Sequence, residues 1–132
     1  MDAQHLSGVP LFASLSHREL TELGRFTDEV DLEPGKELVK EGECAYEFFA
    51  IEDGSAEVRR GADHVADLGP GDFFGEMGVM AHLPRNASVV TTAPTRAIVM
   101  TGPQFRELAR SAPPVAQTIE SAIKERAQAL PI

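Results

Sequence analysis

Two glycines, one glutamate and one arginine stand out in a largely apolar stretch near the middle of the chain. Gly75, Glu76 and Gly78 interrupt the apolar residues, and Arg85 follows nine positions after the glutamate. Charged side chains are costly to bury unless each has a partner. The stretch therefore predicts either an ion pair or a site for a charged ligand.

These residue types suit a phosphate that is attached to a sugar. Gly75 and Gly78 let the main chain approach a ligand closely, and a short helical turn from Glu76 would direct its amides at an anion. The planar guanidinium of Arg85 can contact two phosphate oxygens at once. Glu76, which only accepts hydrogen bonds when ionised, suits a sugar hydroxyl. The alternative is a structural Glu76–Arg85 salt bridge that closes a loop.

The charge balance argues against nucleic acid as a partner. The chain has 132 residues, the size of one domain, and a formal net charge of −9. Lysines and arginines occur singly or in pairs such as Arg59-Arg60, so no basic stripe is available for a phosphate backbone. We expect no nucleic-acid binding by this chain alone.

Cysteine usage and hydropathy indicate the compartment. The single cysteine, Cys44, excludes an internal disulfide and fits a reducing cytoplasm. No apolar run approaches the roughly 20 residues of a membrane span. The first residues also lack the basic and apolar regions of a signal peptide. The expected location is cytoplasmic, without a membrane partner.

The elements that must position the central stretch follow in the order helix, strands, helices. Ser16 and Glu19 have the spacing of a capping box, which predicts a short helix over 16–25. The apolar segment 9–12 that precedes it contains Pro10 and is interpreted as an elbow rather than a helix.

From Asp28 onward, apolar residues alternate with polar ones, which is typical of half-buried strands. Pairs such as Pro34-Gly35 and Asp53-Gly54 mark turns between them. Short strands at regular spacing predict a β-sandwich or jelly-roll barrel over about 28–101. The expected strands are 28–33, 37–40, 46–52, 55–60, 65–68, 87–92 and 96–100.

The C-terminal part is predicted to be helical over about 102–130. Thr101 can cap the first helix with Gln104 as its box partner, and Pro113-Pro114 ends that helix. A final helix with one apolar face follows. The residues of that face are Val115, Ile119, Ala122, Ile123 and Leu130.

Two separated motifs resemble a known family. The segments from Phe74 to Val79 and from Pro84 to Val89 are similar to the phosphate-binding cassette of cyclic nucleotide-binding domains. The segment from Leu38 to Glu43, with Gly54 further on, is similar to the earlier glycine signature of that family. Such domains occur in catabolite activator proteins, cAMP-dependent kinase regulatory subunits and nucleotide-gated channels. The resemblance extends from residue 9 to about residue 129.

The resemblance implies a single domain over 1–132 with an α+β, mainly β fold. The expected architecture is an eight-stranded jelly-roll barrel with a short N-terminal helix, a short cassette helix within 74–88 and two C-terminal helices. The last helix would act as a lid over the ligand. The implied function is that of a non-enzymatic sensor or regulatory module that transmits ligand binding through this helix.

The resemblance also implies roles for individual residues. Arg85 would bind the exocyclic phosphate oxygens, and Glu76 would accept a hydrogen bond from the ribose 2′-hydroxyl. Main-chain groups nearby would line the phosphate and the sugar. The other residues of the implied cassette site are Phe74, Gly75, Met77, Gly78, Asn86 and Ala87.

The base would be bound by residues outside the cassette. Val65 and Val58 are candidates for an apolar wall against it. Ile123 or Arg126 on the last helix could cover it, by packing or by guanidinium stacking. Arg126 is equally compatible with a solvated cation near the helix end.

Asn86 departs from the pattern of the resembling family. Threonine at this position favours cGMP in family members, and alanine or serine is common among those that bind cAMP. Asparagine offers both a donor and an acceptor, so it could serve a phosphate oxygen or a guanine edge. We expect cAMP rather than cGMP only because it is the commoner ligand.

Two other functions suit a small β-rich domain. A jelly-roll metalloenzyme would need clustered ligands, whereas His5, His17, His64 and His82 are scattered without a His-x-His pair. We therefore expect neither enzymatic activity nor a bound metal. The second alternative is a module that has lost its ligand and serves only for interaction or dimerisation.

A sensor also requires an effector. No helix-turn-helix, channel or kinase segment is recognisable in the chain, so the effector is expected on a separate protein or elsewhere in a larger one. A homodimer along the last helix is possible, although that helix lacks a heptad repeat.

Overall fold

The computed structural model describes residues 3–43, 47–75 and 85–126. The helices are α1 (Ala3–Ser7), α2 (His17–Gly24), α3 (Gly102–Ser111) and α4 (Pro113–Arg126), with a 3-10 turn at Pro10–Phe12. The strands are β1 (Asp28–Leu32), β2 (Glu37–Val39), β3 (Glu47–Asp53), β4 (Ala56–Arg60), β5 (Asp63–Leu68), β6 (Phe73–Phe74), β7 (Ser88–Thr91) and β8 (Thr95–Thr101). None of the described helices is both long and apolar enough to cross a membrane.

The strands form two four-stranded antiparallel sheets. The first has the order β1-β8-β3-β6 and the second the order β2-β7-β4-β5. This jelly-roll sandwich confirms the predicted fold class. Residue patterns and turn signals located every described strand except β6, which pairs Phe74 with Phe49 and Phe73 with Ala50. Two residues are too few to show a period, so β6 is defined only by its partner strand.

The central strand β3 of the first sheet is buried on both faces, which explains its apolar run. Phe48 and Ala50 pack against the helices, whereas Phe49 and Ile51 face the second sheet. A strand that is covered on both sides loses the apolar–polar alternation that marks a half-buried one. The central strands β3 and β8 thus connect a helical core on one side with an inter-sheet core on the other.

Local capping defines two of the helices as predicted. The Glu19 amide donates to Ser16 Oγ at 3.2 Å, and the Ser16 amide donates to Glu19 Oε1 at 2.9 Å. Thr101 and Gln104 form the same reciprocal pair before α3. Pro113 then becomes the first residue of α4, a position where its missing amide costs nothing.

The N-terminal segment has more helix than the sequence indicated. Residues 9–12, interpreted as an elbow, include the 3-10 turn Pro10–Phe12, and α1 precedes it. Leu6 and Phe12 are buried in the helical core. Because an isolated helix of this length is unstable in water, α1 depends on this packing rather than on its own propensity.

Three titratable side chains meet where α1 covers the first sheet. His5 Nδ1 lies 3.1 Å from Glu29 Oε2, and Glu52 lies close to both residues. Burial and the neighbouring Glu29 carboxylate raise the pKa of Glu52 to about 7. Contacts with Glu52 and then with His5 lower the pKa of Glu29. The two carboxyl groups therefore share a proton rather than ionise together in mildly acidic solution.

Candidate functional site

Arg85 is anchored through its main chain to the segment that follows β2. Its amide donates to the carbonyl of Glu43 at 2.8 Å, and its carbonyl accepts from the amide of Gly42 at 2.8 Å. This pair of bonds continues the antiparallel contact of β2 with β7 beyond the end of the strand. The position of the Arg85 Cα is thereby set by the second sheet.

The Arg85 side chain reaches from the second sheet to the first. Nη1 donates to the carbonyl of Gly75 at 3.0 Å, and Nη2 donates to the carbonyl of Glu47 at 2.8 Å. Arg85 is only 2% exposed. Gly75 directly follows β6 and Glu47 begins β3, so the guanidinium lies at one end of the first sheet. These two carbonyl partners are dipoles that orient the guanidinium without removing its formal charge.

Gly75 has to be glycine for two independent reasons. Its φ of +88° is rarely adopted by other residues, and an added Cβ would lie 2.2 Å from the Glu47 carbonyl oxygen. The same Cβ would lie 3.1 Å from Arg85 Nη1. The sequence predicted that Gly75 permits a close approach to a ligand. In the described structure, the close approach is to the start of β3 and to Arg85.

Phe74 and Ala87 hold the two ends of this segment in the inter-sheet core. Both residues are fully buried. The Phe74 ring stacks on Phe49, with ring centroids 5.0 Å apart and an interplanar angle of 15°. Their side chains are thus structural, and any contact that they make with a ligand has to come from the main chain.

Comparison with known protein families identifies the family to which this domain belongs. The model of the cyclic nucleotide-binding domain family matches residues 29–112, which include β2 to β8, all of β1 except its first residue, and both ends of the Arg85 segment. This chain belongs to the cyclic nucleotide-binding domain family. The resemblance predicted from the two motifs is therefore confirmed.

Curated relatives and solved structures agree with this assignment. The domain is 32% identical over 123 residues to a cyclic nucleotide-gated potassium channel of Rhizobium etli, covering 93% of this chain and 34% of the channel. It is 33% identical over 104 residues to a cAMP-dependent protein kinase regulatory subunit of Eremothecium gossypii, covering 78% of this chain and 23% of that subunit. The chain thus spans about a third of the channel and less than a quarter of the regulatory subunit.

The fold match covers almost the whole chain. A crystal structure of a cyclic nucleotide-binding domain from Methylobacillus flagellatus superposes with a TM-score of 0.85 at 21% identity. The match covers 97% of this chain and 75% of that one. At this identity the comparison supports the fold of the domain rather than its ligand.

The remaining predicted residues of the domain lie in different places. Asn86 is exposed, and its carbonyl accepts from Arg60 Nε at 3.1 Å. Val65 lies on the edge strand β5 and is 37% exposed, whereas Val58 is buried between the sheets. The contacts described above do not connect Val65 with Arg85. The role of Val65 against a base therefore stays a prediction.

The C-terminal candidates belong to α4. Ile123 is 2% exposed and packs in the helical core, not beside Arg85. Arg126 is the last residue of α4. Glu76, Met77, Gly78 and the predicted cassette helix lie outside the described residues. Their predicted roles, like the role of α4 as a lid, stay predictions.

Sequence reasoning missed one member of the site, the Glu47 carbonyl. A main-chain carbonyl is present at every position, so residue type carries no signal for it. Gly42 and Glu43, which anchor the Arg85 main chain, were identified in the sequence only as part of a family signature, and Gly42 has a φ of +87°. Only the proximity of β3 to Arg85 identifies Glu47 as a partner.

Proposed function

We propose that this domain binds a 3′,5′-cyclic nucleotide and that Arg85 holds the phosphate. The observation that carries the proposal is the buried Arg85 guanidinium, oriented by the carbonyls of Gly75 and Glu47. A guanidinium carries five N–H donors, so two carbonyl contacts and a bidentate phosphate contact can coexist. Charge-assisted hydrogen bonds are stronger in such a poorly hydrated place than at the surface.

The other contacts of the proposed site come from the residues around Arg85. Glu76 accepts a hydrogen bond from the ribose 2′-hydroxyl, which is a role open to an ionised carboxylate. Main-chain groups of Gly75, Met77 and Gly78 line the sugar and the phosphate, with the Ala87 amide on the other side. These residues are close in sequence to Gly75 or to Arg85, which contact each other, and this proximity supports the assignment.

We further propose cAMP as the preferred ligand over cGMP. A relative with 33% identity is described as cAMP-dependent. Asn86, next to the phosphate-binding arginine, has its carbonyl bound to Arg60 while its side chain is exposed. We place this side chain near the ligand as an additional donor, which makes it the residue through which selectivity can be changed.

Calorimetric titration tests the proposed function directly. We expect saturable binding of cAMP, weaker binding of cGMP, and little or no binding of 5′-AMP, whose open phosphate has a different shape and charge. Because a ligand that binds only the folded state stabilises it, cAMP should also raise the melting temperature. Absence of both heat and melting shift with either cyclic nucleotide at millimolar concentration contradicts the proposal.

A second candidate is an interaction or dimerisation module without a ligand. The observation in its favour is that the Arg85 guanidinium already crosslinks β3 and the end of β6 through two carbonyls. Under this alternative, Arg85→Ala lowers the stability of the domain and no cyclic nucleotide changes its melting temperature. The titration above therefore separates the two candidates.

We propose that α4 transmits the ligand-bound state to an effector protein or domain. The apolar face of α4, including Val115, Ile119 and Ile123, packs in the helical core. The position of α4 can therefore respond to changes in the rest of the domain. Allostery requires only that the nucleotide favours one position of this helix.

Hydrogen exchange measures this response. We expect amide exchange over residues 113–126 to slow when cAMP saturates the domain, and exchange in α2 to change little. Equal exchange of residues 113–126 with and without nucleotide, under conditions where binding is saturated, contradicts a role for α4 in transmission.

A further inference from the structure

Three side chains of types that can bind a metal ion converge from three elements on the helix-covered face of the first sheet. His5 lies on α1, Glu29 on β1 and Glu52 on β3. One ligand atom from each lies within 4.8 Å of the other two, and His5 Nδ1 is 3.1 Å from Glu29 Oε2. We propose that His5, Glu29 and Glu52 together bind one divalent transition-metal ion such as Zn²⁺.

The spacing is close to that of a bound ion. Zinc binds imidazole nitrogen and carboxylate oxygen at about 2.0–2.2 Å, which separates neighbouring ligand atoms of a tetrahedral site by roughly 3.5 Å. The observed separations, 3.1 Å between His5 and Glu29 and at most 4.8 Å within the cluster, bracket this value. His5 is half exposed, so its ring can rotate without disturbing the core.

The backbone directs Glu52 toward the cluster. The register between β3 and β8 shifts between Ile51 and Asp53, and Glu52 is the extra residue at this irregularity. Bulges of this kind redirect a side chain. Glu52 Oε2 is buried and has no hydrogen-bond partner among the described residues. A buried carboxylate oxygen without a donor is costly, and a bound cation would relieve that cost.

The donor set selects the class of metal. One imidazole with two carboxylates suits zinc, manganese or iron, whereas calcium and magnesium prefer sites made only of oxygen. A cleft of about 320 Å³ opens beside the cluster, lined in part by His5, Glu52 and Gly71. Its volume leaves room for water as a further ligand.

The neighbouring charges leave the cluster favourable to a cation. Arg96 acts on both Glu29 and Glu52, but its Nε is paired with Asp31 Oδ1 at 2.9 Å. With Asp31 offsetting Arg96, the Glu29–Glu52 pair keeps the local charge negative even while the two carboxyl groups share one proton. An ion bound here would link α1 to two strands of the first sheet and so stabilise the attachment of the N-terminal helix.

Zinc titration of the whole chain tests this inference, with calorimetry and melting temperature as readouts. We expect one Zn²⁺ per chain, a higher melting temperature, and a visible absorption band when Co²⁺ replaces Zn²⁺. His5→Ala and Glu52→Gln should each weaken binding by at least about tenfold. Both side chains are outside the cores, so circular dichroism should confirm folded variants.

His64→Ala is the matched control. His64 also lies between two carboxylates, but Glu57 approaches its Nδ1 at 3.8 Å and Asp67 approaches its Nε2 at 3.5 Å. Groups on opposite edges of one ring cannot meet at one ion, so this variant should bind Zn²⁺ like the unmodified chain. The inference is overturned if no Zn²⁺ binds, if His5→Ala and Glu52→Gln bind as before, or if His64→Ala loses as much affinity as they do.

Discussion

Replacing Arg85 with alanine is expected to weaken cyclic nucleotide binding by roughly a hundredfold or more. Two charge-assisted hydrogen bonds to the phosphate would be lost, each contributing about 1.5–3 kcal/mol. The expected result is a titration with cAMP that no longer saturates at concentrations where the unmodified domain is full. This variant addresses the charged contact on which the proposed function depends.

The same substitution should also lower stability. The carbonyls of Gly75 and Glu47 would each lose a buried donor, and an acceptor left without one costs about 1–3 kcal/mol. Binding and unfolding therefore have to be measured together. Arg85→Lys supplies the second variant, because it keeps the charge but lacks the fork that can reach both carbonyls and a phosphate. Its affinity should be intermediate.

Arg59→Ala is the control for loss of an arginine. Arg59 lies on β4, is exposed and pairs with Glu57 on the surface. Exposed ion pairs contribute little, so stability and affinity should both stay close to those of the unmodified domain. If Arg85→Ala or Arg85→Lys folds and binds cAMP as tightly as Arg59→Ala does, Arg85 does not hold the phosphate and the assigned mechanism is wrong.

Replacing Gly75 with alanine is expected to cost about 3 kcal/mol or more in the free energy of unfolding. Alanine at a φ of +88° is strained, and its Cβ would overlap the Glu47 carbonyl oxygen at 2.2 Å. The overlap is with main-chain atoms of β3, so a side-chain rotation cannot relieve it. Any backbone shift would also displace the carbonyl that orients Arg85, and nucleotide affinity should fall together with stability.

Gly35→Ala separates the two components of this effect. Gly35 has a similar φ of +82°, but an added Cβ there has no heavy atom within 4 Å. This control should lose only the conformational component, about 1–2 kcal/mol, and should bind nucleotide normally. Urea unfolding and cAMP titration of both variants provide the measurement. Equal losses in Gly75→Ala and Gly35→Ala would show that the close approach to Glu47 is unimportant.

The predictable parts of the fold depend on residues that are near one another in sequence. The capping pairs of Ser16 with Glu19 and of Thr101 with Gln104 span one helical turn each and appear as predicted. Strand composition, alternation and turn residues likewise located seven of the eight described strands, because each signal lies within a few positions. In contrast, α1 and β6 are short and are stabilised by distant partners, so no local pattern predicts them.

The proposed metal-binding cluster shows the same limit more strongly. The sequence led us to expect no metal, because its histidines are scattered and no ligand pair has the spacing of a metal motif. His5, Glu29 and Glu52 are brought together only when α1 packs on the first sheet and β8 aligns β1 with β3. Convergence of this kind follows from sheet order and helix packing, neither of which is encoded in a short window.

The central stretch around Arg85 likewise combines features that the sequence predicts with contacts that only the fold defines. By itself, the sequence determined which chemical groups are present, and from them we predicted a guanidinium for an anion, a glutamate for a hydroxyl, and glycines where the main chain must come close. The tertiary structure alone decided what orients the guanidinium, namely the Gly75 carbonyl and the carbonyl of Glu47, 38 residues away from Arg85. Side-chain chemistry is a property of residue type, whereas a main-chain carbonyl becomes a specific partner only through its position in the folded sheet.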